Sequence, residues 1–330
     1  MNLRARLFTP AVAVLAAVGL AACGSASASF PPRPKSVTSA GHPADPTVTS
    51  TTTARPRTRA VRAVRVHLSL PVERYPGALS ARWQPITTVG GRAAVWIAMR
   101  QGVTLVRMNQ SLVHLALHAG TTDPGGAGWR YGSAVAGREI HHLILGFNGG
   151  FKFSTKSGGF VSFGRVGLPL SAGLGSIVTY RNGTTQIGAW GAGVPARGLA
   201  IASVRQNLHL LIDHGVPDAT VASCGAGCWG ATIGGQAAVA RSALGIRADG
   251  QLIWAAGEGL TVGQLAAGMI AADVHRAVEL DINPDWVAGY LYVHHRTAPL
   301  TPVPVVPGQL GLYGHLLAPY SRDFFTVLSN

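Results

Sequence analysis

Residues Arg241 to Asp281 read RSALGIRADGQLIWAAGEGLTVGQLAAGMIAADVHRAVELD, and this stretch decides the fold. Leu252 to Ala256 is a short apolar run that follows Ala248-Asp249-Gly250, a tight-turn signal in which Asp and Gly tolerate positive φ. A run so bounded predicts a strand. Beyond it the period changes. Thr261 can cap a helix, Gln264 stands three residues on, and Leu265, Met269 and Ala272 recur at helical spacing, which predicts a helix over Thr261 to Ala272. Asp281 then stands at a strand end.

Outward from this stretch the strand pattern repeats at Val103 to Val106, Leu112 to Leu117, Leu143 to Phe147, Ser176 to Tyr180 and Leu208 to Ile212. Arg181-Asn182-Gly183 and Asp213-His214-Gly215 supply further tight turns. The expectation is an α+β fold: one large domain over residues 71–330, with a mixed, mostly antiparallel β framework and a few packed helices. No internal repeat is visible. Composition agrees, because 43 glycines, 20 prolines and only 12% charged residues among 330 exclude a coiled coil or helical bundle. The hydrophobic fraction of 47% is ample for a core.

The amino terminus reads as an address. Arg4 and Arg6 precede an apolar run from Ala11 to Ala22, too short to span a bilayer, so residues 1–22 are expected to be a signal peptide. Leu20-Ala21-Ala22-Cys23 resembles the bacterial lipobox, which makes Cys23 the lipidated first residue of a palmitate-bearing lipoprotein on the extracytoplasmic face of the cell membrane. Ordinary cleavage near Ala26-Ser27-Ala28 is the alternative. Residues 23–70, rich in Pro, Thr, Ser and Arg, read as a tether. Nine basic residues and one acid, Asp45, fall within residues 1–70, so most of the +14 net charge lies outside the domain. The arginines from Arg55 to Arg65 either touch an anionic membrane or wall polymer or form a solvated arm. No nucleic-acid partner is expected. With Cys23 assigned to lipid, Cys224 and Cys228 in SCGAGCW remain as a small disulfide loop in an oxidising compartment.

The Arg241–Asp281 stretch, together with LGFNGGF at Leu145 to Phe151 and LHLLIDHG at Leu208 to Gly215, resembles the phosphodiester glycosidase family. Its members carry Asn-Gly-Gly-Phe-Phe, an Arg-Thr-Ala-hydrophobic-Gly strand, a Gly-hydrophobic-Thr helix start and a Leu-Asp-Gly-Gly-Gly-Ser turn. The match in order and spacing covers about residues 100–295, and SRDFF, Ser321 to Phe325, fits the style of bacterial members. The resemblance implies an exported hydrolase that cleaves a sugar from a phosphodiester-linked envelope glycan or glycolipid, without a cofactor. Asp281 and Glu258 would supply carboxylates, Arg241 a planar fork for phosphate, Asn148 an amide, and Gly149 and Gly150 a close backbone approach.

Each assignment has a plainer rival. Arg241 can serve as an ion-pair partner of Glu258 or Asp281, Asn148 can bond its own turn, and Glu258 can cap the following helix. The largest departure is at the Gly-Gly-Gly-Ser turn, which here reads Ile282-Asn283-Pro284-Asp285-Trp286. Pro284 has no amide and Asp285 adds negative charge, so phosphate holding should suffer. Three readings follow: a changed substrate, bound by Asn283 and Asp285 with Trp286 as a stacking face; a divalent cation on Asp281, Asn283 and Asp285; or a site that has lost catalysis in a glycan-binding or structural envelope protein. Lys152 replaces a family aromatic and restores positive charge.

Overall fold

The computed structural model describes residues 66–68, 79–224, 227–295, 297–310 and 316–330, all within one unit spanning Ala60–Asn330. The signal segment, Cys23 and nearly all of the tether lie outside the described residues. The chain opens with β1 (Val66–Leu68), β2 (Gln84–Val89), β3 (Arg92–Arg100) and β4 (Val103–Met108), then crosses to β5 (Val113–His118) and β6 (Leu143–Asn148). A second group follows: β7 (Phe160–Ser162), β8 (Arg165–Leu168), β9 (Gly175–Tyr180), β10 (Thr185–Ala189) and β11 (Ile201–Gln206). After β12 (Leu210–Asp213), β13 (Val216–Pro217) and a single helical turn α1 (Thr220–Ser223) come β14 (Val239–Arg247), β15 (Leu252–Leu260), helix α2 (Val262–Ile270) and β16 (Val274–Ile282). The last strands are β17 (Gly289–Val293), β18 (Thr301–Pro304) and β19 (Phe324–Ser329). β1 falls inside the stretch read as tether and pairs with β2, so the sheet begins before residue 71.

These strands form a nine-stranded sheet, β1-β2-β3-β4-β15-β14-β16-β12-β13, and two five-stranded sheets, β10-β9-β11-β7-β8 and β18-β17-β6-β19-β5. Neighbouring strands within them run antiparallel. The fold is therefore dominated by sheet, with helix confined to short segments, so it is more β than the α+β expectation.

The reason the nine-stranded sheet sits between two layers is visible along β15. Leu252, Trp254 and Ala256 enter one buried cluster with Phe147, Ile187 and Phe325, while Ile253 and Ala255 enter another with Leu265 and Met269. A strand alternates its side chains between faces, so a run that is apolar at every position needs cover on both. α2 provides one cover. Thr261 caps it as expected, with a reciprocal Gln264 bond. Its close approach depends on glycine: a Cβ at Gly245 would stand 2.8 Å from Met269 Cε, and one at Gly268 would stand 2.6 Å from Val103 Cγ2. Burying a side chain such as Leu265 contributes about 1.5–3 kcal/mol.

Candidate active site

The carboxyl end of β16 delivers two acids to one side of the strand, because Glu279 and Asp281 are two residues apart. Their partners differ. Glu279 Oε1 lies 2.7 Å from Arg241 Nη1 on the adjoining β14. Arg241 also donates from Nε to Leu260 C=O at 3.1 Å and from Nη1 to Trp229 C=O at 3.1 Å. Only 1% of Arg241 is exposed. Its guanidinium is thus spent on internal contacts, with Glu279 as the ion-pair partner rather than Glu258 or Asp281. Burial pushes the Glu279 carboxyl up to about 8, against the pull of Arg241.

Asp281 is held by Arg322, whose Nη2 lies 2.6 Å from Oδ2 and also donates to Gly150 C=O at 3.0 Å. The other carboxylate oxygen accepts from Ile282 N–H at 2.9 Å. Burial raises the Asp281 carboxyl to about 7, with Arg322 opposing the rise. Arg322 reaches a second acid, with Nε 2.8 Å from Asp123 Oδ2, while its Nη1 has no hydrogen-bond partner among the described residues.

Asp281 and Arg322 line a cleft of about 480 Å³, together with Lys152, Asn283, Trp286 and the wall from Gly227 to Ala231. Lys152 Nζ stands 4.7 Å and Arg322 Cζ 4.8 Å from the Trp286 ring centre, so two cations converge on one aromatic at the cleft. Asn283 has φ 75° and fixes the opposite wall by accepting from Ile233 N–H at 2.9 Å. Cys228, bonded to Cys224, lines the same wall.

Other residues predicted for the site lie beneath it or away from it. Asn148 is buried under the cleft, where Nδ2 donates to Gly149 C=O at 3.0 Å and to Ser242 Oγ at 2.9 Å. Ser242 in turn donates to Asp281 C=O at 2.9 Å, so this chain of bonds sets the end of β16. The space left by the missing side chains of Gly149 and Gly150 is already filled. A Cβ at Gly149 would stand 2.1 Å from Asp323 Oδ2, and one at Gly150 would stand 2.7 Å from the Arg205 guanidinium carbon. Arg205 and Asp323 form a buried two-pronged pair at 2.7 and 3.2 Å, and that pair is what the glycines admit.

Glu258 is half-buried, does not line the cleft, and has an Oε1 without a partner among the described residues; burial raises its carboxyl. Asp285 is exposed and also does not line the cleft. The four residues expected to converge, Asn148, Arg241, Glu258 and Asp281, therefore do not share one cavity: of these, Asp281 alone opens into it. The triplet Asp281, Asn283 and Asp285 gathers no better, since Asn283 Oδ1 is taken by Ile233. No group of three or more His, Cys, Asp or Glu side chains placed to hold a metal occurs among the described residues.

Arg322 and Glu279 went unassigned by sequence reasoning. SRDFF was the one available signal for Arg322, and it carried likeness without a role.

No protein-family model matches the chain, and no curated protein matches it. Among solved structures it is similar to the catalytic domain of zebrafish N-acetylglucosamine-1-phosphodiester alpha-N-acetylglucosaminidase auto-inhibited by its pro-peptide. That likeness has 13% identity and a TM-score of 0.45, covering 82% of this chain and 85% of that one. A protein from Synechocystis gives 13% identity and a TM-score of 0.39 over 77% and 68% of the two chains. A protein described as exported, from Burkholderia pseudomallei, gives 13% and 0.36 over 75% and 77%. These likenesses concern the path of the chain and assign no residue or reaction.

Proposed function

We propose that the protein is a lipid-anchored, extracytoplasmic hydrolase that cleaves a sugar from a phosphodiester-linked envelope glycan or glycolipid. One observation carries the reading: a buried aspartate, paired with an arginine, opens into a cleft where a lysine and an aromatic ring also stand. The motif resemblance of the sequence points to the same chemistry.

In this reaction a water oxygen attacks the anomeric carbon, and the bond from that carbon to the phosphate oxygen breaks. The bonding electron pair leaves with the phosphate monoester, a good leaving group that needs little proton donation. Asp281 takes the proton from the attacking water. A carboxylate raised to about 7 is a stronger base than a solvated aspartate, which suits that role near neutrality. Lys152 and Arg322, which both line the cleft, hold the phosphate, and Trp286 offers a face to the sugar. Glu258 has no part in this scheme.

The second reading is a glycan-binding envelope protein without turnover, favoured by the placement of Glu258 outside the cleft, which leaves Asp281 without the second carboxylate that most glycosidases use. Assay of the purified protein on a panel of sugar-phosphate diesters separates the two. Release of free sugar, lost in Asp281→Asn, supports the hydrolase; binding without release on every diester supports the second reading.

A further inference from the structure

A second cavity, of about 570 Å³, opens where β5, an edge strand, meets the sheet containing β9 and β11. It shares no lining residue with the Asp281 cleft, and no Asp or Glu side chain lines it among the described residues.

Its walls carry main-chain groups that no strand pairs. In the β5–β19 ladder, Asn330 N–H bonds Leu112 C=O, and this sets the phase. Residues of an antiparallel strand turn their main-chain groups alternately to either neighbour, so those of His114, Ala116 and His118 face β19. Those of Leu115 and Leu117 face the free edge, where no strand pairs with them. Both residues are buried, at 2% and 1% exposure, and buried main-chain groups require a partner. Ser203, 4% exposed, lines the same cavity.

The rim is built around Phe163. It forms the two-residue β7–β8 turn with Gly164, at φ 50° and 83°, positions that favour Asn, Asp or Gly. A bulky residue there is strained, and such strain persists where the side chain has a use. The Phe163 ring holds the guanidinium carbons of Arg181 and Arg130 at 5.3 and 5.9 Å from its centre. Neither arginine has a carboxylate partner among the described residues.

From this arrangement we infer that the cavity binds an acidic saccharide unit, one that carries a carboxylate or phosphate beside free hydroxyls. The Arg181 guanidinium, which lines the cavity, takes the anionic group. The C=O groups of Leu115 and Leu117 on the unpaired edge accept from donors, which hydroxyls supply and a bare anion lacks. The volume is within the range of small-ligand sites. The chain's own tether is excluded by charge, since it is strongly basic.

Isothermal titration of the whole mature protein with digalacturonate, glucose 1-phosphate, maltose and inorganic phosphate tests the inference. The expected result is binding of at least one acidic sugar, about tenfold or more tighter than maltose or inorganic phosphate. Which of the two binds identifies carboxylate or phosphate as the anionic group. Arg181→Ala and Phe163→Asn should weaken that binding at least fivefold with the thermal midpoint unchanged or raised, because the first residue has no ion pair and the second substitution relieves a strained turn. Lys152→Ala, which alters the Asp281 cleft, should leave it within twofold. Equal binding of maltose or phosphate, binding that survives Arg181→Ala, binding lost in Lys152→Ala, or no binding of either acidic sugar would overturn the inference. None of these outcomes depends on turnover at Asp281.

Discussion

Arg322 bridges two acids from distant parts of the chain, with Nη2 2.6 Å from Asp281 Oδ2 and Nε 2.8 Å from Asp123 Oδ2. It thereby ties the segment entering β19 to the end of β16. Removing one partner of a buried pair leaves an uncompensated charge, at a cost of about 3–5 kcal/mol. Arg322→Met should lower unfolding free energy by that order in urea denaturation. A loss below about 1 kcal/mol would show that the pair carries little of the local structure.

The pH dependence of stability follows from the same site. Asp281 has its folded value raised from 3.8 to about 7, so the folded state holds a proton that the unfolded state has released across that window. Its contribution to stability is therefore present below about pH 4 and lost as pH rises towards 7. Glu279, raised to about 8, acts in the same direction and extends the window upward. Urea midpoints measured from pH 5 to pH 8 should fall, and Asp281→Asn should flatten the slope. An equal slope in the variant would exclude Asp281 as its source.

Gly149 is predicted to tolerate no side chain. A methyl group 2.1 Å from Asp323 Oδ2 has to push the carboxylate off Arg205, and overpacking of this kind costs about 1–3 kcal/mol. Gly149→Ala should lower the thermal midpoint more than an alanine at Gly91, whose added Cβ meets nothing within 4 Å. Gly91 itself has φ 80°, so its alanine variant is strained without being crowded and isolates the clash at Gly149.

Lys152 and Trp286 should act on binding rather than chemistry. Lys152→Ala removes an exposed cation from the cleft, and about 1.4 kcal/mol of lost contact corresponds to a tenfold rise in KM. Steady-state kinetics should show kcat changed much less than KM, the pattern of a group that holds ground and transition states alike. A fall in kcat with KM unchanged would move Lys152 into the chemical step.

Much of the strand framework was legible because its signals are local. The Leu252 to Ala256 run, its Asp-Gly turn and the Thr261–Gln264 cap each depend on neighbours within a few residues, and each stands in the structure where the pattern put it. Of the residues the sequence singles out, Lys152, Asp281, Asn283 and Trp286 line the cleft, but their partners were not legible. Arg241 finds Glu279, 38 residues on, and Asp281 finds Arg322, 41 residues on, because β14, β16 and the approach to β19 meet in space. Spacing along the chain says nothing about which of several buried acids a given arginine will face. Asn148, Gly149 and Gly150 read as a ligand turn because an Asn-Gly-Gly run permits close approach. What approaches is Asp323 and Arg205 from the protein itself.

The most direct measurement is hydrolysis of sugar-phosphate diesters by the wild type, Asp281→Asn and Glu258→Gln side by side, as a function of pH. The account predicts wild-type activity that rises as pH increases through about 7, a loss of about a hundredfold or more in Asp281→Asn, and little change in Glu258→Gln. Activity retained in Asp281→Asn, or abolished in Glu258→Gln, would contradict it.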